Sequence, residues 1–223
     1  MACRCCQLEH RWLTAVFIDV VWFTELAERL ESEAFAAILN DYYGGLASAS
    51  DAHPHHGTLA KIQGDAALIY FGDEEMPRAS VALGCIELVA ALPALLRARS
   101  ERWHADGHLV RLSVRAGIAS GYCSLGDWGR ERLDFTIIGA PVNLSQRVQT
   151  HAAAGGALMC AATAALVGQG APGHVGASSK FQLKGLGEVV GHPLVDLPIR
   201  SANVPARSAY RAAERRKKVD QVG

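Results

Sequence analysis

Hydrophobic and polar positions change period several times along this chain, and the changes mark its elements. Trp12-Leu-Thr-Ala-Val-Phe-Ile-Asp19 is an apolar run closing on a carboxylate, and predicts a buried strand over residues 12–20. Leu26, Leu30, Phe35, Ile38, Leu39 and Tyr42 then recur at roughly helical spacing. They predict one helix with Thr24 as N-cap, Glu25 and Glu28 in its first turn, and a break or bend at Gly44-Gly45. Asp51-Ala-His-Pro-His-His-Gly57 reads as a turn-rich loop with solvated histidines. Two short apolar runs, 59–62 and 66–71, flank Gln63-Gly64-Asp65 and predict a β-hairpin.

Pro77 suits the first turn of a second helix reaching about residue 102. Its core face is Val81, Leu83, Ile86, Leu88, Val89, Leu92 and Leu95, with a kink expected at Pro93. Residues 110–119 read as a strand, Gly121 as a turn into another strand at 122–125, and 126–132 as an exposed polar loop. A third amphipathic helix is expected over 140–152, ended by Gly155-Gly156. The remainder, at 157–160, 161–167, 180–183 and 192–196, reads as short strands and one short helix. The order β-α-β-β-α-β, with helices packed on a mostly antiparallel sheet, defines an α+β, ferredoxin-like (split βαβ) domain. It occupies residues 11–199, after a linker or disordered start at 1–10 and before a basic tail at 200–223.

Composition narrows the class. Of 223 residues, 50% are hydrophobic and 20% charged, as in ordinary globular domains. Formal net charge is zero, so nothing global favours nucleic acid or an anionic membrane. No uninterrupted apolar run approaches the ~20 residues of a spanning helix, and the first residues lack the apolar core of a signal peptide, so the cytoplasm is the expected location. The short start before Arg11 leaves no room for a sensor, so the expectation is that another chain regulates it or that the sensor is absent here. Cys85, Cys123 and Cys160 lie in apolar segments and are expected to be buried thiols. Cys3, Cys5, Cys6 and His10 have too little chain between them for a zinc site.

The candidate chemistry is carboxylate chemistry. Asp19 and Asp65 close neighbouring strand ends and could share a hard divalent cation, since Mg²⁺ is typically held by one or two carboxylates plus substrate phosphates. Four stretches complete the picture: Phe17-Ile-Asp-Val-Val-Trp-Phe-Thr24, Lys61-Ile-Gln-Gly-Asp65, Arg115-Ala-Gly-Ile-Ala-Ser-Gly121 and Thr136-Ile-Ile-Gly-Ala-Pro-Val-Asn-Leu-Ser-Gln-Arg147. In this order the chain resembles the class III nucleotidyl cyclases from about Arg11 to Leu197.

The resemblance implies an adenylate cyclase converting ATP to cyclic AMP and pyrophosphate, with two Mg²⁺ per site and Mn²⁺ able to substitute. Asp19 and Asp65, with the Val20 carbonyl, match its metal ligands, and Phe23 and Thr24 join the substrate-binding set. Asn143 and Arg147 match the pair that positions ribose and stabilises the reacting phosphate; four apart on a helix, they share a face. Lys61 matches the lysine that donates to adenine, and lysine can only donate, so it argues for ATP. Thr136 stands where many members have Asp, as in a subgroup often stimulated by bicarbonate. Family sites lie between two catalytic domains, and this chain carries both residue sets, so a homodimer with two equivalent sites is implied. Two alternatives are a guanylate or relaxed-specificity cyclase and a catalytically weak nucleotide-binding partner of another cyclase chain. Trp22 stands where the family usually has Gly, and is expected to pack on the first helix.

Overall fold

The computed structural model describes residues 9–72, 76–128, 134–170 and 174–195. Strand β1 (Glu9–Val20) is the centre of the sheet, antiparallel to β3 (Ala66–Phe71) on one side and to β4 (Val114–Trp128) on the other. With β2 (Thr58–Gln63), β6 (Ala157–Cys160), β7 (Ser179–Leu183) and β8 (Gly187–Pro193), the sheet order is β2-β3-β1-β4-β6-β8-β7, and β5 (Asp134–Ile138) pairs with β4 off this path. Among the described strands, only β4 and β6 pair in parallel. The helices are α1 (Phe23–Arg29), α2 (Ser32–Asp51), α3 (Arg78–Ala105), α4 (Ala140–Gln149) and α5 (Ala161–Gly170). Since β3 separates β1 from β2, the elements from β1 to β4 make the expected split βαβ core.

The long apolar run in β1 follows from burial on both faces. Val16, Ile18 and Val20 join Ile69, Phe71, Ala116 and Ile118 beneath α2, α3 and α5. Leu13, Ala15 and Phe17 point the other way and pack with Leu68, Tyr70, Cys123 and Ile137. Successive side chains alternate faces, so a strand covered on both sides shows no polar alternation. Each such fully buried aliphatic contributes about 1.5–3 kcal/mol.

Several expected boundaries shift. The first predicted helix is two, because Leu30 adopts an extended backbone after α1. Thr24 lies inside α1, and the N-cap position belongs to Trp22, which makes no side-chain capping bond. Gly44-Gly45 does not interrupt α2; Gly45 makes room for Arg99 of α3, whose guanidinium would lie 2.1 Å from a Cβ there. Arg99 pairs with Asp41 of α2, and Trp103 Nε1 donates to the same carboxylate at 3.1 Å. Helix α3 runs unbroken through Pro93. By length and composition α3 could cross a membrane, but Ile86, Leu88, Val89 and Leu92 are buried in the main core.

Gly121 makes no turn: β4 is one long strand there, with Gly121 opposite Leu13 and beneath Pro141. Gly126 to Trp128 continue β4 and pair with β5 rather than forming a loop. Helix α4 ends at Gln149, short of residue 152, and the last strand is Gly187–Pro193 rather than 192–196. The hairpin is as expected, with Gly64 at φ 63° in its turn, and Cys85, Cys123 and Cys160 are buried free thiols. The Cys3, Cys5 and Cys6 cluster, the basic tail and residues 129–133 lie outside the described residues.

Candidate active site

Asp19 sits near the C-terminal end of β1, opposite Ala66 on β3 and Arg115 on β4. The hairpin turn is stapled to this strand end, because Val20 N–H donates to the Asp65 carbonyl at 3.1 Å. Tyr43 of α2 donates its hydroxyl to the Gly64 carbonyl, fixing the same turn from the helix side. Burial first, then the Asp65 and Asp19 carboxylates, push the Tyr43 phenol up to about 12, so it stays a donor. These ties bring the two aspartates to one cavity of about 430 Å³. Val20, Val21, Phe23, Thr24 and Glu25 line it with them, beside Trp22 and Arg115.

Asp19 is 9% exposed and heavily braced. Its Oδ2 accepts from Arg115 Nε at 2.9 Å and from Gln149 Nε2 at 2.8 Å, and Arg115 Nη2 stands in an ion pair with it at 2.9 Å. Charge-assisted bonds of this kind are about twice as strong as neutral ones and fix the carboxylate plane. Asp65 is less enclosed. Burial raises its pKa and the Asp19 carboxylate raises it further, while Arg115 offsets part of this. Two carboxylates in mutual repulsion beside a backbone carbonyl form a hard-oxygen donor set that suits Mg²⁺ or Mn²⁺. Among the described residues, no group of three or more His, Cys, Asp or Glu side chains is arranged to hold a metal. The fit is therefore to a cation that takes its other ligands from phosphate and water.

Trp22 does not pack as expected. Its backbone is left-handed, φ 59° and ψ 33°, and its side chain is 62% exposed. The chain turns there from β1 into α1, a conformation only glycine adopts without cost. A glycine at this position would serve the turn itself.

The other residues singled out by sequence stand elsewhere. Lys61 is exposed on β2, paired across the hairpin with Leu68. Thr136 is 9% exposed on β5, opposite Gly126. Asn143 is exposed on α4 and Arg147 half-buried one turn later, its guanidinium donating to the Lys184 carbonyl between β7 and β8. None of these four lines the Asp19–Asp65 cavity. The chain thus brings Asp19, Val20, Phe23, Thr24 and Asp65 together and leaves Lys61, Thr136, Asn143 and Arg147 apart from them.

Sequence reasoning missed the bracing of Asp19. Arg115 opens the third motif, but its role depends on the β1–β4 register. Gln149 lies beyond the last motif, and what brings it in is Gly117. A Cβ on Gly117 would stand 2.0 Å from the Ser145 carbonyl oxygen and 2.4 Å from the Gln149 nitrogen. The missing side chain lets α4 settle against the sheet, and a glycine inside a strand is the one sequence signal of that approach.

Asp19 near the end of the central strand and Asp65 in the adjoining hairpin turn make a two-carboxylate site on a split βαβ sheet, and likeness to known proteins names its class. The family model for the adenylate and guanylate cyclase catalytic domain matches residues 7–196, and the chain belongs to that family. The adenylyl cyclase CyaB from P. aeruginosa is 30% identical with a TM-score of 0.74, over 86% of this chain and 97% of that one. The guanylyl cyclase Cya2 is 26% identical with a TM-score of 0.76, over 88% of this chain and 97% of that one. An uncharacterized protein of Mycobacterium tuberculosis is 32% identical over 141 residues, 63% of this chain and 24% of that protein. The chain spans about a quarter of the length of such curated relatives. The family is of lyase type and generally uses divalent metal ions.

Proposed function

We propose that this domain is an adenylate cyclase that acts as a homodimer, each site combining residues from both copies. The observation that carries the proposal is the division of the site residues. Asp19 and Asp65 line one cavity, while Lys61, Thr136, Asn143 and Arg147 lie outside it on β2, β5 and α4. A single chain then holds half of each of two sites, which a two-fold dimer completes.

Bound Mg²⁺, or Mn²⁺ in its place, supplies charge that acidifies the ribose 3′-hydroxyl and neutralises the triphosphate. Asp19, Asp65 and the Val20 carbonyl hold it, and Arg115 and Gln149 keep the Asp19 carboxylate in its plane. Asn143 of the second copy orients the ribose. Arg147 of the second copy stabilises the negative charge that grows on the α-phosphate oxygens. The 3′-oxygen forms a bond to the α-phosphorus as the bond to the bridging oxygen breaks, and pyrophosphate leaves. Lys61 donates to adenine N1, an acceptor that guanine replaces with a donor. The likeness to Cya2 favours a second reading in which GTP is also used; turnover with ATP and GTP side by side decides between them.

The dimeric site is tested by mixing two inactive homodimers, Asp65→Ala and Arg147→Ala. With random exchange half the dimers are mixed and each has one intact site, so activity returns to about a quarter of wild type. No recovery despite demonstrated exchange refutes the shared site.

A further inference from the structure

Gln149 is 3% exposed, the most enclosed amide on α4. A buried amide is kept only where its hydrogen bonds are met. Here Nε2 donates to Asp19 Oδ2 at 2.8 Å, across 130 residues of chain. Gly117 makes the approach possible, since any side chain there would strike the Gln149 backbone. Arg115 reinforces the joint: it holds the same Oδ2 and its Nη1 reaches the Thr150 carbonyl at the end of α4 at 3.5 Å. The two hydrogen bonds and the ion pair to Asp19 all end on Oδ2. Oδ1 takes no part in them.

We propose that Gln149 is the positioning residue that presents Asp19 to the metal and ties the metal half of one site to the helix serving the other. The inference rests on the metal and shared-site reading given above. Helix α4 has two working sides. Its buried side carries Gln149, latched to the metal carboxylate of its own chain; its outer side carries Asn143 and Arg147, which reach the partner's substrate. A cation that draws Asp19 into place therefore biases the pose of α4, and linkage requires the reverse. Metal loading at one site and phosphate stabilisation at the other become parts of one equilibrium.

The test begins without turnover. Mn²⁺ binding to nucleotide-free protein is measured for wild type, Gln149→Met and Gln149→Glu, with melting temperatures alongside. Methionine keeps the volume and removes the donor, so affinity falls about tenfold or more, the usual effect of losing a partner of a ligating carboxylate. Glutamate sets an acceptor against Asp19 and weakens binding further. Wild-type affinity in a folded Gln149→Met protein overturns the proposal, as does a wild type that binds no Mn²⁺. Should Gln149→Met fail to fold, Gln149→Asn keeps the amide but cannot reach, and is read in the same way.

The mixed dimers then separate positioning from packing. Gln149→Met is added either to the Arg147→Ala chain, which supplies the working Asp19 and Asp65, or to the Asp65→Ala chain, which supplies the working Arg147. In the first placement the half-saturating Mg²⁺ concentration rises. In the second it stays, and kcat at saturating Mg²⁺ falls. Equal shifts in both placements mean that Gln149 only fills space, and overturn the proposal. Should wild type turn over neither ATP nor GTP, the cyclase reading fails by itself, and the Mn²⁺ measurement still decides the role of Gln149.

Discussion

The two groups of site residues are built to different standards. Asp19 is enclosed, held through one oxygen by two side chains, and framed by strands on either side. Lys61 and Asn143 lie exposed on the surfaces of β2 and α4. The difference follows from what each group must do. A buried carboxylate next to a second carboxylate is unfavourable unless donors fix it, so its surroundings must come from the same chain. Groups that meet substrate from across an interface can wait exposed, because the partner and the nucleotide supply their surroundings on binding.

The comparison can be broken most forcefully at Asp19. Asp19→Ala abolishes turnover and lowers stability, because Arg115 and Gln149 lose their shared acceptor at a cost of about 1–3 kcal/mol. Asn143→Ala lowers activity and leaves the melting temperature unchanged, since it removes no buried contact. Activity and thermal unfolding of the two variants measure the contrast, and equal destabilisation refutes it. Next in size is Lys61→Glu, which replaces a donor to adenine with an acceptor. Losing a charged hydrogen bond costs about 1.5–3 kcal/mol, roughly ten- to a hundredfold in kcat/KM for ATP. An unchanged ATP:GTP preference would show that Lys61 does not read the base.

The pH dependence is smaller. Burial and the Asp19 charge raise the Asp65 pKa above its ordinary 3.8, so the folded state holds that proton more tightly than the unfolded chain. Without metal, ionised Asp65 therefore costs stability. That cost is absent well below 3.8 and complete once pH has passed the raised value. Asp65→Asn removes it, so the metal-free variant gains in melting temperature over wild type as pH rises through this window. Saturating Mg²⁺, which binds the ionised form, reverses the order. The smallest effect is at Trp22. Trp22→Gly relieves a left-handed backbone by about 1 kcal/mol, a rise of about 2–4 °C in Tm, and lowers the ATP KM by clearing the cavity wall. A fall in Tm would mean that the indole contributes packing.

The sheet was legible because its strands are buried on both faces and the apolar runs of β1 and β3 have few other interpretations. Asp19 and Asp65 were legible for a related reason, as charges closing such runs. Boundaries set by non-local pairing were not. Gly121 signals a turn locally, yet its pairing with Leu13 and its fit beneath Pro141 keep it in the strand. Thr24 has the chemistry of a cap, but the left-handed turn at Trp22 takes the N-cap position and starts α1 two residues earlier. Arg115 and Gln149 act only through a register and a helix approach that no local pattern encodes.

The exposed indole of Trp22 has an optical consequence. The sequence holds four tryptophans, and Trp103 is 4% exposed with its Nε1 bonded to Asp41, a fixed background deep between α2 and α3. Among the tryptophans with described side chains, Trp22, 62% exposed, is the one on the wall of the Asp19–Asp65 cavity, so its surroundings change when that cavity fills. Its emission should move to shorter wavelength as phosphate and cation displace water from the ring, with no label attached. Loading of the site would then be readable in real time from the protein's own fluorescence, and Trp22→Phe would silence the signal.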